Sequence, residues 1–363
     1  MWRLFSSSAL AVALVLVPRA FAAPPSPPDP ARFRLEAPPW SAPRAPSADL
    51  GAVAADTLRT LTAAPGVGAG LPGAFTSPTA VADTLAFVAR VATEDAATGA
   101  DRLADPSFLA SCFDTWRWVP DVQRPGDALR LTRYLVYAVD GRPTPDATHE
   151  HALWAVPRDE DGLSVAQADA RRDALDRFRY TRQEVSAGVY REGGAAAGRA
   201  DPLVWLTHAH HEEALMQGTV AVTLPDGAAP RLYNVHRDNG IPYQRGLSDT
   251  RLQRRYWYFR PMDAVRGWGP EPVPGPSLRP SVAVAGDLDA LGFGRLLALR
   301  SADGLRLVVL ADTGGAFTGN LHQLDLYMGV YPSRAAFETA TAGVGDTAAA
   351  WVMTARVGAA GCE

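Results

Sequence analysis

The chain of 363 residues has no lysine; all 35 of its basic side chains are arginine. We read that absence as codon bias. Acidic residues number 39, so the formal net charge is only −4. A basic excess of the kind that phosphate backbones select is missing, which argues against nucleic acid as a partner. Cysteine is scarce as well, with only Cys112 and Cys362 present. No internal repeat is visible. The one strongly apolar run near the start, residues 9–17, is too short for a stable membrane span. No cysteine follows it, so the sequence offers no lipid anchor there.

That short run does suit an export signal. Arg3 supplies a positive n-region, residues 9–17 an apolar core, and Ala20-Phe21-Ala22 a cleavage site, so residues 1–22 read as a signal peptide. The expected location is periplasmic or secreted, and soluble. An oxidising compartment allows a disulfide between the two cysteines, but sequence leaves their pairing open. Residues 23–48 are rich in Pro and Ala and predict an extended, disordered leader. The remainder is 47% hydrophobic by whole-chain composition, enough for one large core or two domains.

Apolar residues recur at helical spacing over 49–62 (Leu50, Val53, Ala54, Leu58, Leu61) and again over 79–93 (Val81, Leu85, Val88, Val91). Pro65 to Gly73 separates the two, and Ser77 with Pro78 predicts the second helix's N-terminus. From Leu129 the texture becomes β-rich. Strand-like runs cover 131–139, 152–156, 219–224, 231–235, 256–259, 281–285, 295–299 and 305–310, punctuated by Gly, Pro and Asp. Charged helices are expected over 165–178 and 202–216. The fold class predicted is mainly β with N-terminal helices, built on closed or partly closed barrels.

The densest chemistry lies in residues 311–329. An apolar run, Leu305 to Leu310, leads into Asp312-Thr313-Gly314-Gly315, and Asp325-Leu326-Tyr327-Met328-Gly329 follows. Two carboxylates at strand ends, with three glycines between them, suit a site where substrate approaches backbone closely. A partly desolvated carboxyl can hold its proton near neutral pH and donate it. An ordinary Asp-Gly turn between strands fits the same residues. Asp312-Thr313-Gly314 also matches the short motif of aspartic proteases, but the second such loop those enzymes need is absent. Thr207-His208-Ala209-His210-His211 superficially resembles the metal loop of metallo-β-lactamase-type hydrolases. It lacks that loop's Asp, and only His236 and His322 follow it, so no metal site is expected.

Taken with three upstream stretches, residues 312–329 resemble the three-Asp domain of the MltA family of lytic murein transglycosylases. The family's Asp-x-Gly-Gly-Ala-Ile-Lys-Gly and Asp-x-Tyr-x-Gly correspond to residues 312–319 and 325–329. Met216-Gln217-Gly218-Thr219 through Leu224-Pro225-Asp226-Gly227 is similar to its Ile-Gln-Gly-Ser-Gly stretch. Asn239-Gly240-Ile241-Pro242-Tyr243 is similar to its Asn-Gly-x-Pro-Tyr, and Tyr256-Trp257-Tyr258-Phe259-Arg260 to its Tyr-Val-Phe-Phe-Arg. Leu131-Thr132-Arg133-Tyr134 and Tyr180-Thr181-Arg182-Gln183-Glu184-Val185 extend the match.

The resemblance implies a double-psi β-barrel formed by residues 49–130 and 246–363, with a second β-rich domain, 131–245, inserted. It implies cleavage of the β-1,4 bond between N-acetylmuramic acid and N-acetylglucosamine, leaving a 1,6-anhydro sugar, with peptidoglycan glycan strands as partners. Other cell-wall proteins are left open as partners, and no cofactor is implied. Asp325 takes the place of the single catalytic acid/base and Asp312 that of its supporting partner. Thr132, Gln217, Gly218, Thr219, Asn239, Tyr243, Gly314, Gly315 and Tyr327 are implied to bind substrate.

Several positions depart from the pattern. Asp312 and Asp325 lie further apart than is usual in the family, through extra residues within 320–324. The family's first aspartate falls on Ala285, with Asp287 or Asp289 as substitutes if the loop shifts. Thr318, Val220 and Arg133 replace the family's Lys, Gly and Gly. A catalytically impaired, peptidoglycan-binding or regulatory member would carry the same motifs.

Overall fold

The computed structural model describes residues 32–64, 77–120, 128–244 and 246–362. The expected signal segment, the leader before Arg32 and the break at 65–73 lie outside those residues. The first elements are β1 (Phe33–Leu35), α1 (Ser47–Ala63), α2 (Pro78–Thr98), α3 (Pro106–Cys112), β2 (Phe113–Trp118) and β3 (Leu129–Asp140). Then come β4 (His151–Trp154), α4 (Val165–Ala170), α5 (Arg182–Ser186), β5 (Pro202–Leu206), α6 (His208–Gln217), β6 (Thr219–Thr223), β7 (Arg231–Asp238) and β8 (Trp257–Met262). The last are β9 (Ala283–Ala285), α7 (Leu288–Leu291), β10 (Leu296–Ser301), β11 (Gly304–Asp312), β12 (Gln323–Tyr331), α8 (Arg334–Thr341) and β13 (Thr347–Ala355).

One sheet of 11 strands runs in the order β1-β2-β13-β10-β11-β9-β12-β3-β6-β7-β8. β13 also pairs with β3 through Thr347 and Ala348. That extra pairing closes β13, β10, β11, β9, β12 and β3 into a ring, which removes their exposed edges. β3 is long enough to serve both halves of the molecule. Its first part pairs with β12, and its last four residues pair with β6. It thereby carries the sheet from the ring into the layer β6-β7-β8, beside which β4 and β5 form a separate hairpin sheet.

The apolar pattern explains the layering. Along β11, Val308 and Leu310 belong to the cluster inside the ring, with Leu297, Leu324 and Leu326. Leu305, Leu307, Val309 and Ala311 point the other way, into a cluster shared with α1 and α2. Both faces of the strand are buried, which is why its sequence runs apolar without alternation. α1 and α2 approach closely because Gly51 carries no side chain; a Cβ there would sit 2.3 Å from the Ala92 Cβ. Ser77 caps α2 by accepting from the Ala80 N–H at 3.0 Å, with Pro78 in its first turn. A third cluster, built on Tyr137, Trp154, Trp205, Val220, Tyr256 and Tyr258, fills the second half.

Four expectations need correction. Helix and strand occur in comparable amounts, so the chain is a mixed helix-and-sheet protein rather than a mainly β one. The missed helices α3, α5, α7 and α8 are at most eight residues long, too short for a repeating pattern, and each starts at a capping side chain. The leader is not featureless up to residue 48: Phe33–Leu35 pairs antiparallel with β2, with Phe33 stacked on Trp118. The helix expected over 165–178 stops after Ala170, because few of its residues are apolar enough to bury a face. The one expected over 202–216 begins only after Thr207, whose hydroxyl caps α6; Pro202–Leu206 is a strand paired with β4.

The described cysteines pair as a disulfide, Cys112–Cys362, which ties the end of α3 to the C-terminal segment. Among the described residues no helix is long and apolar enough to cross a membrane.

Candidate active site

Strand register assembles the site. β9 lies between β11 and β12, and Ala285 is the register partner of both Asp312 and Asp325. The three positions that align with the family's three aspartates therefore stand side by side on adjacent strands. Leu324 and Leu326 point into the ring, so Asp325 between them points out of it. A bulge between Leu310 and Asp312 re-aims the end of β11 at the same place.

The extra residues before Asp325 do not displace it from the strand. They are taken up in the loop ahead of β12, where Asn320 accepts from the His322 N–H at 3.2 Å. Asp325 itself pairs in register with Thr132 on β3. Asp287 does not replace the missing aspartate. Its carboxylate caps α7 through the N–H groups of Asp289 and Ala290 and accepts from the Gly319 N–H at 2.7 Å. It fixes the loop instead.

Both site carboxyls are partly buried, and burial raises both. Asp312 is pushed up to about 7, against hydrogen bonds from the Thr313 N–H (2.9 Å) and the Tyr134 hydroxyl (2.9 Å); the negative charge of Asp325 adds to the rise. Asp325 is pushed up to about 6 by burial, against the Thr132 hydroxyl and the charges of Arg130 and Arg133. Two neighbouring carboxyls that titrate near neutrality suit proton transfer at working pH. One Asp325 oxygen, Oδ1, is buried without a hydrogen-bond partner among the described residues. It is the natural contact for an incoming ligand.

These groups open onto a cavity of about 1050 Å³. Its walls come from the ring on one side and from α6, β7, β8 and the 262–278 segment on the other. Gln217, Gly218, Thr219, Tyr243, Gly314 and Gly315 line it. Gly218 ends α6 at φ 78°, a left-handed turn that brings Gln217 and Thr219 to the rim. A Cβ at Gly315 would stand 3.5 Å from an Arg255 nitrogen and 4.0 Å from the Tyr243 Cβ. The glycine loop thus meets the 243–255 segment across the groove.

Three expected ligand residues do other work. Asn239 is buried and off the groove wall. Its amide donates to the Tyr180 and Arg254 carbonyls (2.9 and 3.0 Å) and its oxygen accepts from the Tyr256 N–H (3.0 Å), so it pins loops together. Tyr327 is 2% exposed and packs against Tyr134, with ring centroids 5.3 Å apart, so it offers no open face to a sugar. Thr132 stands beside Asp325 rather than on the wall, with its hydroxyl accepting from Gln323 Nε2 at 3.0 Å. Conversely, the role of Tyr134 in holding Asp312 was not anticipated, nor were Trp257, Arg260 and Trp268 as wall residues. Tyr134, Trp257 and Arg260 do lie in the matched stretches.

The Thr207–His211 stretch is not simply a polar helix surface. His211 is buried and pushed down to about 3 by desolvation, and His151 packs against both His208 and His211. Among the described residues no group of three or more His, Cys, Asp or Glu could hold a metal ion.

No protein-family profile matches the sequence, and no curated protein matches it significantly. Solved structures do. A membrane-bound lytic murein transglycosylase from Agrobacterium tumefaciens superposes with a TM-score of 0.61 at 18% identity, covering 89% of this chain and 100% of that one. Escherichia coli MltA with bound chitohexaose gives 0.58 at 16% identity over 89% and 94% of the two chains. MltA from Neisseria gonorrhoeae gives 0.53 at 15% identity over 85% and 89%. Across nearly its whole described length, then, this chain has the fold of the MltA lytic murein transglycosylases.

Proposed function

We propose that the protein is an exported peptidoglycan lytic transglycosylase that cleaves the β-1,4 bond between N-acetylmuramic acid and N-acetylglucosamine and leaves 1,6-anhydro ends. The observation that carries this is the pair Asp312 and Asp325, flanking Ala285 and facing a cavity of about 1050 Å³. Both carboxyls are raised toward neutrality. The E. coli protein of the same fold was solved with bound chitohexaose, which supports a glycan as the ligand.

In this reading Asp325 is the acid. Protonated at about pH 6 and below, it donates to the glycosidic oxygen as the bond to C1 breaks. The resulting carboxylate then removes the proton from the sugar's own C6 hydroxyl, which attacks C1. Nucleophile and electrophile belong to one molecule, so no water has to be positioned and much of the entropic cost disappears. Ordinary glycosidases need a second carboxylate as nucleophile or base; here Asp312, whose carboxyl titrates at about 7 and so is largely protonated where Asp325 is, serves instead to position the strand beside the acid. Tyr134 holds it in place. Gln217, Gly218, Thr219, Tyr243, Gly314 and Gly315 would hold the strand, Tyr243 by stacking on a sugar ring. The chemistry needs no metal or organic cofactor.

The closed ring is read as the double-psi barrel and the layer built on β6, β7 and β8 as the inserted domain, a division that differs from the expected bounds of 131–245 in giving β3 to the ring and β8 to the insert. The test is digestion of purified sacculi. Anhydro-muropeptides should accumulate with the wild-type protein and fall to background with Asp325→Asn. Reducing ends in their place would mean ordinary hydrolysis. Binding to sacculi without product would mean a glycan-binding member that has lost its chemistry, a reading favoured only by the absence of a carboxylate at Ala285.

A further inference from the structure

Four arginines line the groove: Arg182, Arg255, Arg260 and Arg266. Three of them are neutralised locally. Arg182 pairs with Glu212 at 2.6 Å, Arg255 with Asp238, and Arg266 with Asp263 at 2.8 Å. Arg260 has no acidic partner among the described residues. It is only partly exposed, and its Nε is buried without a hydrogen-bond acceptor. Glu271, a carboxylate of that wall, is already shared by Arg237 (2.9 Å) and His236 (3.1 Å). Arg260 sits on β8 opposite Asn234 of β7, and both side chains face the cavity.

A guanidinium is a rigid fork of donors that matches a carboxylate with two parallel hydrogen bonds. Leaving part of it buried and unpaired is costly, so such a group in a binding groove calls for an acceptor. A plain chain of N-acetylglucosamine carries no anion to supply one. We propose that Arg260 forms a carboxylate-binding subsite, so that the groove selects glycan strands bearing acidic substituents over neutral ones. On a murein strand that carboxylate comes either from the lactyl group of an unsubstituted muramic acid or from a peptide stem. The subsite rests on the glycan-groove reading above, and it adds a second, charge-based determinant on the wall contributed by β7 and β8.

The experiment is equilibrium binding, run in the Asp325→Asn background so that no turnover intrudes. Three probes are compared: chitohexaose, peptide-free murein strands, and peptide-bearing strands of matched length. The inference predicts that at least one carboxylate-bearing strand binds about tenfold or more tightly than chitohexaose. Arg260→Gln should remove that advantage, bringing the carboxylate-bearing strands down to the affinity of chitohexaose, and an unchanged circular-dichroism spectrum and melting point would show that the variant is folded. Arg260→Lys, which keeps the charge but loses the fork, should retain only part of it. A gain confined to peptide-free strands assigns the lactyl group; one confined to peptide-bearing strands assigns the stem. Equal binding of all three probes, or an equal loss on all three in Arg260→Gln, overturns the subsite while leaving the transglycosylase reading intact. Failure of every glycan to bind would instead sink the groove reading, and this inference with it.

Discussion

Removing the proposed acid should make the protein more stable, and only above a certain pH. In the folded chain the Asp325 carboxyl titrates at about 6, against an ordinary value of 3.8. Between those values the native state holds a proton that the unfolded chain has released. Stability therefore falls as pH rises through that window and is flat above it. The gap corresponds to about 3 kcal/mol, at about 1.4 kcal/mol per pH unit. Asp325→Asn keeps the shape and never ionises, so it escapes this loss. It also removes the negative charge that helps raise Asp312, which adds in the same direction. At about pH 8 the variant should melt about 4 °C above wild type for a chain of this size. At about pH 4 the two should differ only by the fixed cost of placing an amide there. Taking the difference between the two pH values cancels that fixed cost. Calorimetric scans of both proteins at the two pH values give the number. A gap that does not change with pH, or one that moves toward wild type as the pH rises, would mean that Asp325 is not held in a desolvated pocket.

Tyr134→Phe removes one hydrogen bond to Asp312 and little volume; kcat on sacculi should fall about tenfold. Asn239→Ala should cost about 2–3 kcal/mol in urea unfolding, because it strands several buried backbone groups, rather than act as a loss of a sugar contact. Reducing Cys112–Cys362, whose partners are 250 residues apart, frees a very long loop; the chain-entropy limit is roughly 5 kcal/mol, read as a drop in the urea midpoint of Cys112→Ser/Cys362→Ser. For the wild-type enzyme, kcat/KM should decline as pH rises above about 6, where the acid loses its proton, and the pH–rate profile should show that limb.

Much of this molecule could be read from residue order, and the failures have physical causes. The apolar spacing of α1 and α2 and the Ser77-Pro78 start are local signals, and each appears where the pattern requires. β12 and β13 went unanticipated because small and polar residues interrupt their apolar runs; ring closure, a tertiary event, is what makes them strands. Pro202–Leu206 was hidden in a helical stretch because its pairing partner, β4, lies about fifty residues earlier. At the site, the roles proposed for the two aspartates rest on motif order, and their convergence through Ala285 is a register fact that spacing alone does not contain. Asn239 and Tyr327 fell the other way. Both belong to matched motifs, yet one supports loops and the other packs beneath Asp312 through Tyr134. A motif shows which residues go together without showing which of them reach the ligand.

The account stands or falls on how the new sugar end is made. Digesting sacculi in water enriched in oxygen-18 and weighing the released muropeptides tests it directly. If Asp325 directs the C6 hydroxyl onto C1, the product ends are anhydro, carry no heavy oxygen, and vanish in Asp325→Asn. Reducing ends that incorporate the label, or anhydro ends that persist at the wild-type rate in that variant, would contradict it.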